Sequence, residues 1–157
     1  ELDIRILKEL QVDCTIPLAD LADRVGSSKS VCWRRIQQHL ENGVIRERVA
    51  ILDGKKLGLG VTVLVDVKME RLSESVSANF LKEIQERAEI IECHILSGSI
   101  SFQLKIVVRD VEEFQQFLLN HLSKIEHVRE VNSYFSLSRV IDTTKLPLDN
   151  VILEQGN

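Results

Sequence analysis

The stretch PLADLADRVGSSKSVCWRRIQQHLENGVI, Pro17 to Ile45, holds two apolar stripes at helical spacing, separated by three small residues. Leu18, Leu21, Ala22 and Val25 recur at intervals of three and four, the spacing of one helix face. Pro17 suits the first turn, where its missing N–H would have no intrahelical partner in any case. Gly26 supplies a left-handed exit, and Ser28 is a fitting N-cap for the next helix, expected to run to about Asn42 and stop at Gly43. In that helix Cys32, Ile36 and Leu40 are four apart and form the apolar stripe. Ser30, Arg34, Gln37 and Glu41 fall on the opposite side, with Trp33 at the edge. Upstream, Leu2, Ile6, Leu7 and Leu10 repeat the helical spacing over residues 2–11. Downstream, Val44 to Leu52 reads as a strand or short wing. Three short helices with a tight turn before the third, followed by a wing, predict a winged helix-turn-helix over residues 1–52.

The charge is distributed to match. The 157 residues carry a formal net charge of −4. Within residues 24–50, however, six basic side chains (Arg24, Lys29, Arg34, Arg35, Arg46, Arg48) face two acidic ones, Glu41 and Glu47. A basic segment in an acidic chain attracts a polyanion locally while the remainder repels it.

Residues 53–60, with three of the chain's seven glycines, read as a linker. Beyond them the period changes from helical to alternating: Val61, Val63, Val65 and Val67 interleave with Thr62, Leu64, Asp66 and Lys68, as in a strand with one buried face. Residues 74–88 return to helical spacing with Val76, Phe80 and Ile84. Ile90 to Leu96 is a second strand, Gly98 a turn, and Phe102, Leu104, Ile106 and Val108 alternate through a third. A helix from Val111 to Lys124 is expected to bury Phe114, Phe117, Leu118 and Leu122, and Val128 to Leu137 closes with a fourth strand. The order β-α-β-β-α-β over residues 61–139 predicts a ferredoxin-like sandwich, an antiparallel sheet with both helices on one face. A tail of residues 140–157 follows. The fold class is therefore α+β. The other sheet face mixes Leu64, Val107 and Tyr134 with Thr62, Lys105 and Arg109, a half-apolar surface of the kind a second copy covers.

Taken together, the segment LDIRILKELQ (residues 2–11), LADLADRVG (18–26), SKSVCWRRIQQHLENGVI (28–45), Leu96-Ser97-Gly98 and the Leu104-Lys105-Ile106 strand resemble the Lrp/AsnC, or feast/famine, family of transcription regulators. The resemblance covers essentially the whole chain. It implies a DNA-binding N-terminal unit joined to a C-terminal unit that oligomerises and binds a small effector, usually an amino acid. Two positions depart from the family pattern. His39 stands where a leucine is usual, and here the leucine is Leu40; three- and four-residue steps from Ile36 reach the same helix face, so His39 is expected partly against the core. Ser101 stands where an aspartate is usual, in the turn after Gly98, so a carboxylate able to meet a ligand ammonium is missing there.

The reading helix is expected to present Lys29, Ser30, Trp33, Arg34 and Gln37 to base edges, with Arg34 suited to guanine and Gln37 to adenine. Trp33 suits either a thymine methyl or the DNA backbone. Ser28 with the open amides of the helix start, together with Arg35, Arg46 and Arg48, are phosphate candidates. By resemblance, Gly98, Ser99, Ile100, Ser101 and Phe102 form the effector loop. The expected partners are double-stranded DNA with a roughly palindromic operator, a second copy through the C-terminal unit with tetramers or octamers beyond it, and a small amino-acid ligand.

Other chemistries find little support. Cys93 and His94 are adjacent on a strand and point to opposite faces, and neither CxxC nor HxxxH occurs, so no metal is expected. The three cysteines, Cys14, Cys32 and Cys93, are expected to be small apolar fillers. There is no phosphate-cradling glycine loop and no nucleophile elbow, so neither an enzyme nor a cofactor is expected. The longest apolar stretch, Leu57 to Val65, is too short to cross a bilayer, and no export signal is visible at the N-terminus, so a cytoplasmic, non-membrane protein is expected. An ACT-like ligand-binding adaptor without DNA affinity is the alternative.

Overall fold

A computed structural model describes residues 1–151. Among these residues the chain divides into two compact units, Leu52–Val140 forming one and the flanking segments the other. The expected tail of residues 140–157 lies partly outside the described residues.

In the first unit, α1 (Leu2–Leu10), α2 (Leu18–Val25) and α3 (Lys29–Glu41) pack around Ile6, Leu21, Ala22, Val25, Cys32 and Ile36. Gly26 ends α2 at φ +64°, a left-handed conformation that glycine adopts without a Cβ penalty. The expected stripe of Cys32, Ile36 and Leu40 packs against the core, and His39 joins it. His39 is buried and Leu40 half-buried; three- and four-residue steps from Ile36 reach the same side of the helix.

The wing does not form. Residues 44–52 carry no regular secondary structure, and only Ile45 is drawn partly into the core, its amide donating to the His39 carbonyl at 2.8 Å. A lone extended segment needs a partner strand to make a ladder, and none of the described residues pairs with it. The expected strand is corrected to a largely exposed segment without regular secondary structure.

The chain returns to this first unit after residue 140. Gln11 and Leu146 exchange two hydrogen bonds: the Leu146 amide donates to Gln11 Oε1 at 2.9 Å, and Gln11 Nε2 donates to the Leu146 carbonyl at 3.2 Å. Lys8 also pairs with Asp149. The C-terminal segment thus straps onto α1.

The second unit follows the expected order. The strands β1 (Val61–Met69), β2 (Ile90–Ile95), β3 (Phe102–Val108) and β4 (Val128–Phe135), with α4 (Glu74–Gln85) after β1 and α5 (Val111–Asn120) after β3, form an antiparallel sheet ordered β2-β3-β1-β4. Val63, Val65 and Val67 sit opposite Ile106, Leu104 and Phe102. All six are buried with Val76, Phe80 and Ile84 of α4 and Phe114 and Phe117 of α5, so both helices cover one face. The Phe80 and Phe102 rings stack at 4.4 Å between centroids, and each such buried ring contributes roughly 1.5–3 kcal/mol through area removed from water. The last helix is shorter than its periodicity suggests: it ends at Asn120, and Leu122–Lys124 form a separate 3-10 turn that still buries Leu122, while Leu118 is half-buried.

Residues 53–60 are a built turn rather than a bare linker. The Leu57 and Leu59 amides both donate to the Gly54 carbonyl, at 3.0 and 2.8 Å, around a 3-10 turn at Lys55–Leu57. Cys93 corrects another expectation. It sits on the edge strand β2 and is exposed, whereas Cys32 is a buried filler and Cys14 is half-buried.

Candidate nucleic-acid interface

The start of α3 is built by its cap. The Val31 amide donates to Ser28 Oγ at 3.3 Å, and the Cys32 amide to the Ser28 carbonyl at 2.9 Å. The amides of Lys29 and Ser30 are left without intrahelical partners, as in any first turn, and point along the positive end of the helix dipole. With its hydroxyl engaged by the cap, Ser28 reaches an anion chiefly through this amide cluster. Ser28→Ala is expected to destabilise the first unit by about 1 kcal/mol, the usual loss for an N-cap, read as a lower melting temperature.

Along α3 the side chains sort by exposure. Cys32, Ile36 and His39 face the core, while Lys29, Ser30, Trp33 and Arg34 are exposed and Gln37 is half-buried. Trp33 stands 58% exposed, a large aromatic surface left outside the core. Among the described residues, Lys29, Arg34, Arg46 and Arg48 form no ion pair, so their charges face solvent unneutralised. The other two cations of the basic segment are engaged. Arg24 binds Glu9 of α1 at 2.9 Å, and Arg35 lies 3.6 Å from Asp3 of α1. The structure thus leaves Ser30, Trp33 and Arg34 exposed along α3, with Lys29 exposed at its start and Gln37 half-buried, whereas Arg35 is turned back toward α1. Arg46 and Arg48 lie on the exposed segment after α3.

One participant in this unit escaped sequence reasoning. Asp3 touches both Arg35 and His39, with His39 Nε2 3.0 Å from Asp3 Oδ1. The available signal was a polar residue at an inward position of α3 together with an acid in the first turn of α1.

In the second unit the turn after Gly98 is stitched to β1. The Ser101 amide donates to the Val67 carbonyl at 2.9 Å, its hydroxyl oxygen accepts the Met69 amide at 3.1 Å, and its carbonyl accepts the Leu96 amide at 3.0 Å. Gly98 holds φ +148°, a conformation that side-chain-bearing residues rarely adopt. Ser99 is exposed, and Ile100 and Ser101 are half-buried. Phe102 corrects its expected role: its ring is fully buried in the core, so it offers a ligand at this loop only backbone atoms. A cavity of about 410 Å³ in this unit is an open polar groove bounded by Asn79, Glu83, Arg87 and Lys124, and it shares no residue with this loop.

The other sheet face carries an ion pair and a hydrogen bond between strands. Lys105 pairs with Glu92 at 2.9 Å, and Gln103 donates to Asp66 at 3.0 Å. The Lys105 hydrogen bond holds the Glu92 carboxyl below its ordinary range, against the opposing effect of partial burial. Leu64 and Tyr134, paired across β1 and β4, remain 38% and 55% exposed. Among the described residues no group of three His, Cys, Asp or Glu side chains is placed to hold a metal, and no helix is long and apolar enough to cross a membrane.

Comparison with known proteins agrees across both units. Residues 1–38 match the AsnC-type helix-turn-helix domain, and residues 62–146 match the Lrp/AsnC ligand binding domain. The glutamate uptake regulatory protein of Zymomonas mobilis is 36% identical over 148 residues, spanning 94% of this chain and 90% of that protein. The crystal structure of an AsnC family transcriptional regulator from Agrobacterium tumefaciens superposes with a TM-score of 0.91 at 40% identity, covering 97% of this chain and 99% of the other. A transcriptional regulator from Neisseria meningitidis, solved as a complex with L-Met, superposes at 0.90 with 29% identity, covering 95% and 96%.

Proposed function

From the membership of this chain in the Lrp/AsnC family of transcriptional regulators, we propose that it binds double-stranded DNA through the open side of α3 and responds to a small amino-acid effector. The observation that carries the DNA-binding part is the exposure of Lys29, Ser30, Trp33 and Arg34 along the first half of α3, whose Cys32, Ile36 and His39 are buried. A major groove admits one helix presented in this way. Arg34 has the fork to meet guanine, Gln37 the amide to meet adenine, and Trp33 the apolar edge for a thymine methyl. Arg46, Arg48 and the first amides of α3 supply phosphate contacts.

Two copies pair through the open sheet face, around Leu64, Val107 and Tyr134. Glu92 and Lys105 already pair across strands and Gln103 donates to Asp66, so covering this face keeps those groups bonded. Paired copies present two reading helices, so the operator is roughly palindromic; tetramers or octamers extend the same assembly. The effector is an amino acid, the ligand class of the Neisseria neighbour, bound at the Gly98–Ser101 turn. With no carboxylate from residue 101, its ammonium is met by another group or by water. The setting for this work is the cytoplasm, and the chain acts as a regulator rather than an enzyme.

The test is duplex binding measured against salt. With a fragment from upstream of the protein's own gene, affinity is expected to fall with rising salt, with a slope of about 0.9 per phosphate contacted. No duplex affinity at micromolar protein in low salt would overturn the DNA-binding reading and favour an adaptor. Calorimetry with each proteinogenic amino acid tests the effector, and no heat from any of them would remove it.

A further inference from the structure

His39 is the one buried polar side chain recorded among the described residues, 6% exposed on the reading helix. Its Nε2 lies 3.0 Å from Asp3 Oδ1, a hydrogen-bond distance. Its Nδ1 is buried with no partner. The tautomer that suits this setting places the proton on Nε2, donating to Asp3, and leaves a lone pair on Nδ1; a proton on Nδ1 would be a buried donor with nothing to bind.

Arg35 shares the same carboxylate on poorer terms. Its Nη1 stands 3.6 Å from Asp3 Oδ2, beyond hydrogen-bond distance, and its Nε is buried without a partner. A buried N–H left unmade carries a desolvation cost, and turning the guanidinium outward would return that group to water. Arg35 is already 39% exposed, whereas the Asp3 side chain is 21% exposed and depends more on its partners. If Arg35 alone served Asp3, its departure would strand a largely buried carboxylate. With His39 bonded to the other oxygen, the carboxylate keeps one hydrogen bond when Arg35 departs.

We propose that His39 is a positioning residue that keeps Asp3 satisfied, so that Arg35 can leave α1 and take up a DNA phosphate when duplex binds. Arg35 rests on Asp3 in the unbound protein and exchanges one anion for another in the complex. Neither His39 nor Asp3 touches DNA; both act through Arg35. This inference rests on the DNA-binding reading above.

Salt titrations of duplex binding by the full chain, His39→Leu, Arg35→Ala and the double variant test it. Leucine fills the buried site with an apolar side chain of similar size, and without the imidazole Arg35 must stay on Asp3. Each single variant is expected to lower the salt slope by about 0.9, one phosphate contact. The double variant is expected to lose no more than either alone, and Asp3→Asn added to His39→Leu to restore the wild-type slope. Thermal melting reports whether His39→Leu is folded, and His39→Met replaces it if it is not. An unchanged slope in either single variant, a double variant that loses two contacts, or no recovery on adding Asp3→Asn overturns the proposal alone. Absence of salt-sensitive duplex binding by the wild-type chain overturns the DNA-binding reading, and this proposal with it.

Discussion

Arg34→Ala is expected to weaken specific duplex binding by roughly ten- to a hundredfold, while the melting temperature stays within about 4 °C of wild type. The first figure follows from the 1–3 kcal/mol of base discrimination that a bidentate arginine typically supplies, at about 1.4 kcal/mol per tenfold in affinity. The second follows from its surroundings. Arg34 is exposed, stands away from the buried face of α3, and forms no ion pair among the described residues, so truncation removes nothing that holds the first unit together. Lys29→Ala is the natural comparison: loss of a point charge at the helix start is expected to weaken binding to all duplexes alike, whereas Arg34→Ala is expected to lower the ratio of specific to nonspecific affinity. Unchanged operator affinity in Arg34→Ala would remove this residue from the interface.

The second unit was legible because both of its periods are pure. Val63, Val65 and Val67 alternate without interruption, and the buried set of β3 answers them residue for residue; a one-residue slip would have put every apolar side chain into water. In α4, Val76, Phe80 and Ile84 keep a strict four-residue step, and all three are buried. The helix-turn-helix was legible for a different reason, its punctuation: Gly26 and Ser28 fix the end of one helix and the beginning of the next.

What stayed hidden depends on partners far away in the sequence. The segment after Gly43 has strand-like composition, yet composition cannot supply a neighbouring strand. The strap onto α1 joins Gln11 to Leu146 across 135 positions, and no local period records such a contact. At His39 the local period shows a polar residue beside the apolar stripe but not its partner, Asp3, 36 residues earlier. The same limit applies to the candidate site. Exposure along α3 followed from helix geometry, but the diversion of Arg35 toward α1 did not.

Phe102 shows how parity decides a role that motif reasoning assigns differently. As the last residue of the Gly98 turn it counts among effector contacts; as the first residue of β3 it pairs with Val67, at an inward position. The ring is fully buried and stacked on Phe80, so the strand assignment prevails. Phe102→Ala is therefore expected to cost about 3–5 kcal/mol, the range for a large aromatic removed from a packed core. Against a typical total of roughly 5–15 kcal/mol that is enough to leave the second unit partly unfolded on warming. Ser101→Ala, one residue earlier, removes only the acceptor of the Met69 amide and is expected to cost about 1 kcal/mol. Chemical denaturation of the two variants separates the cases. A Phe102→Ala protein as stable as Ser101→Ala would mean that the ring is not in the core, and would return it to the ligand loop. With the expected order, any loss of effector binding in Phe102→Ala reports unfolding, and a loss in Ser101→Ala reports the loop itself.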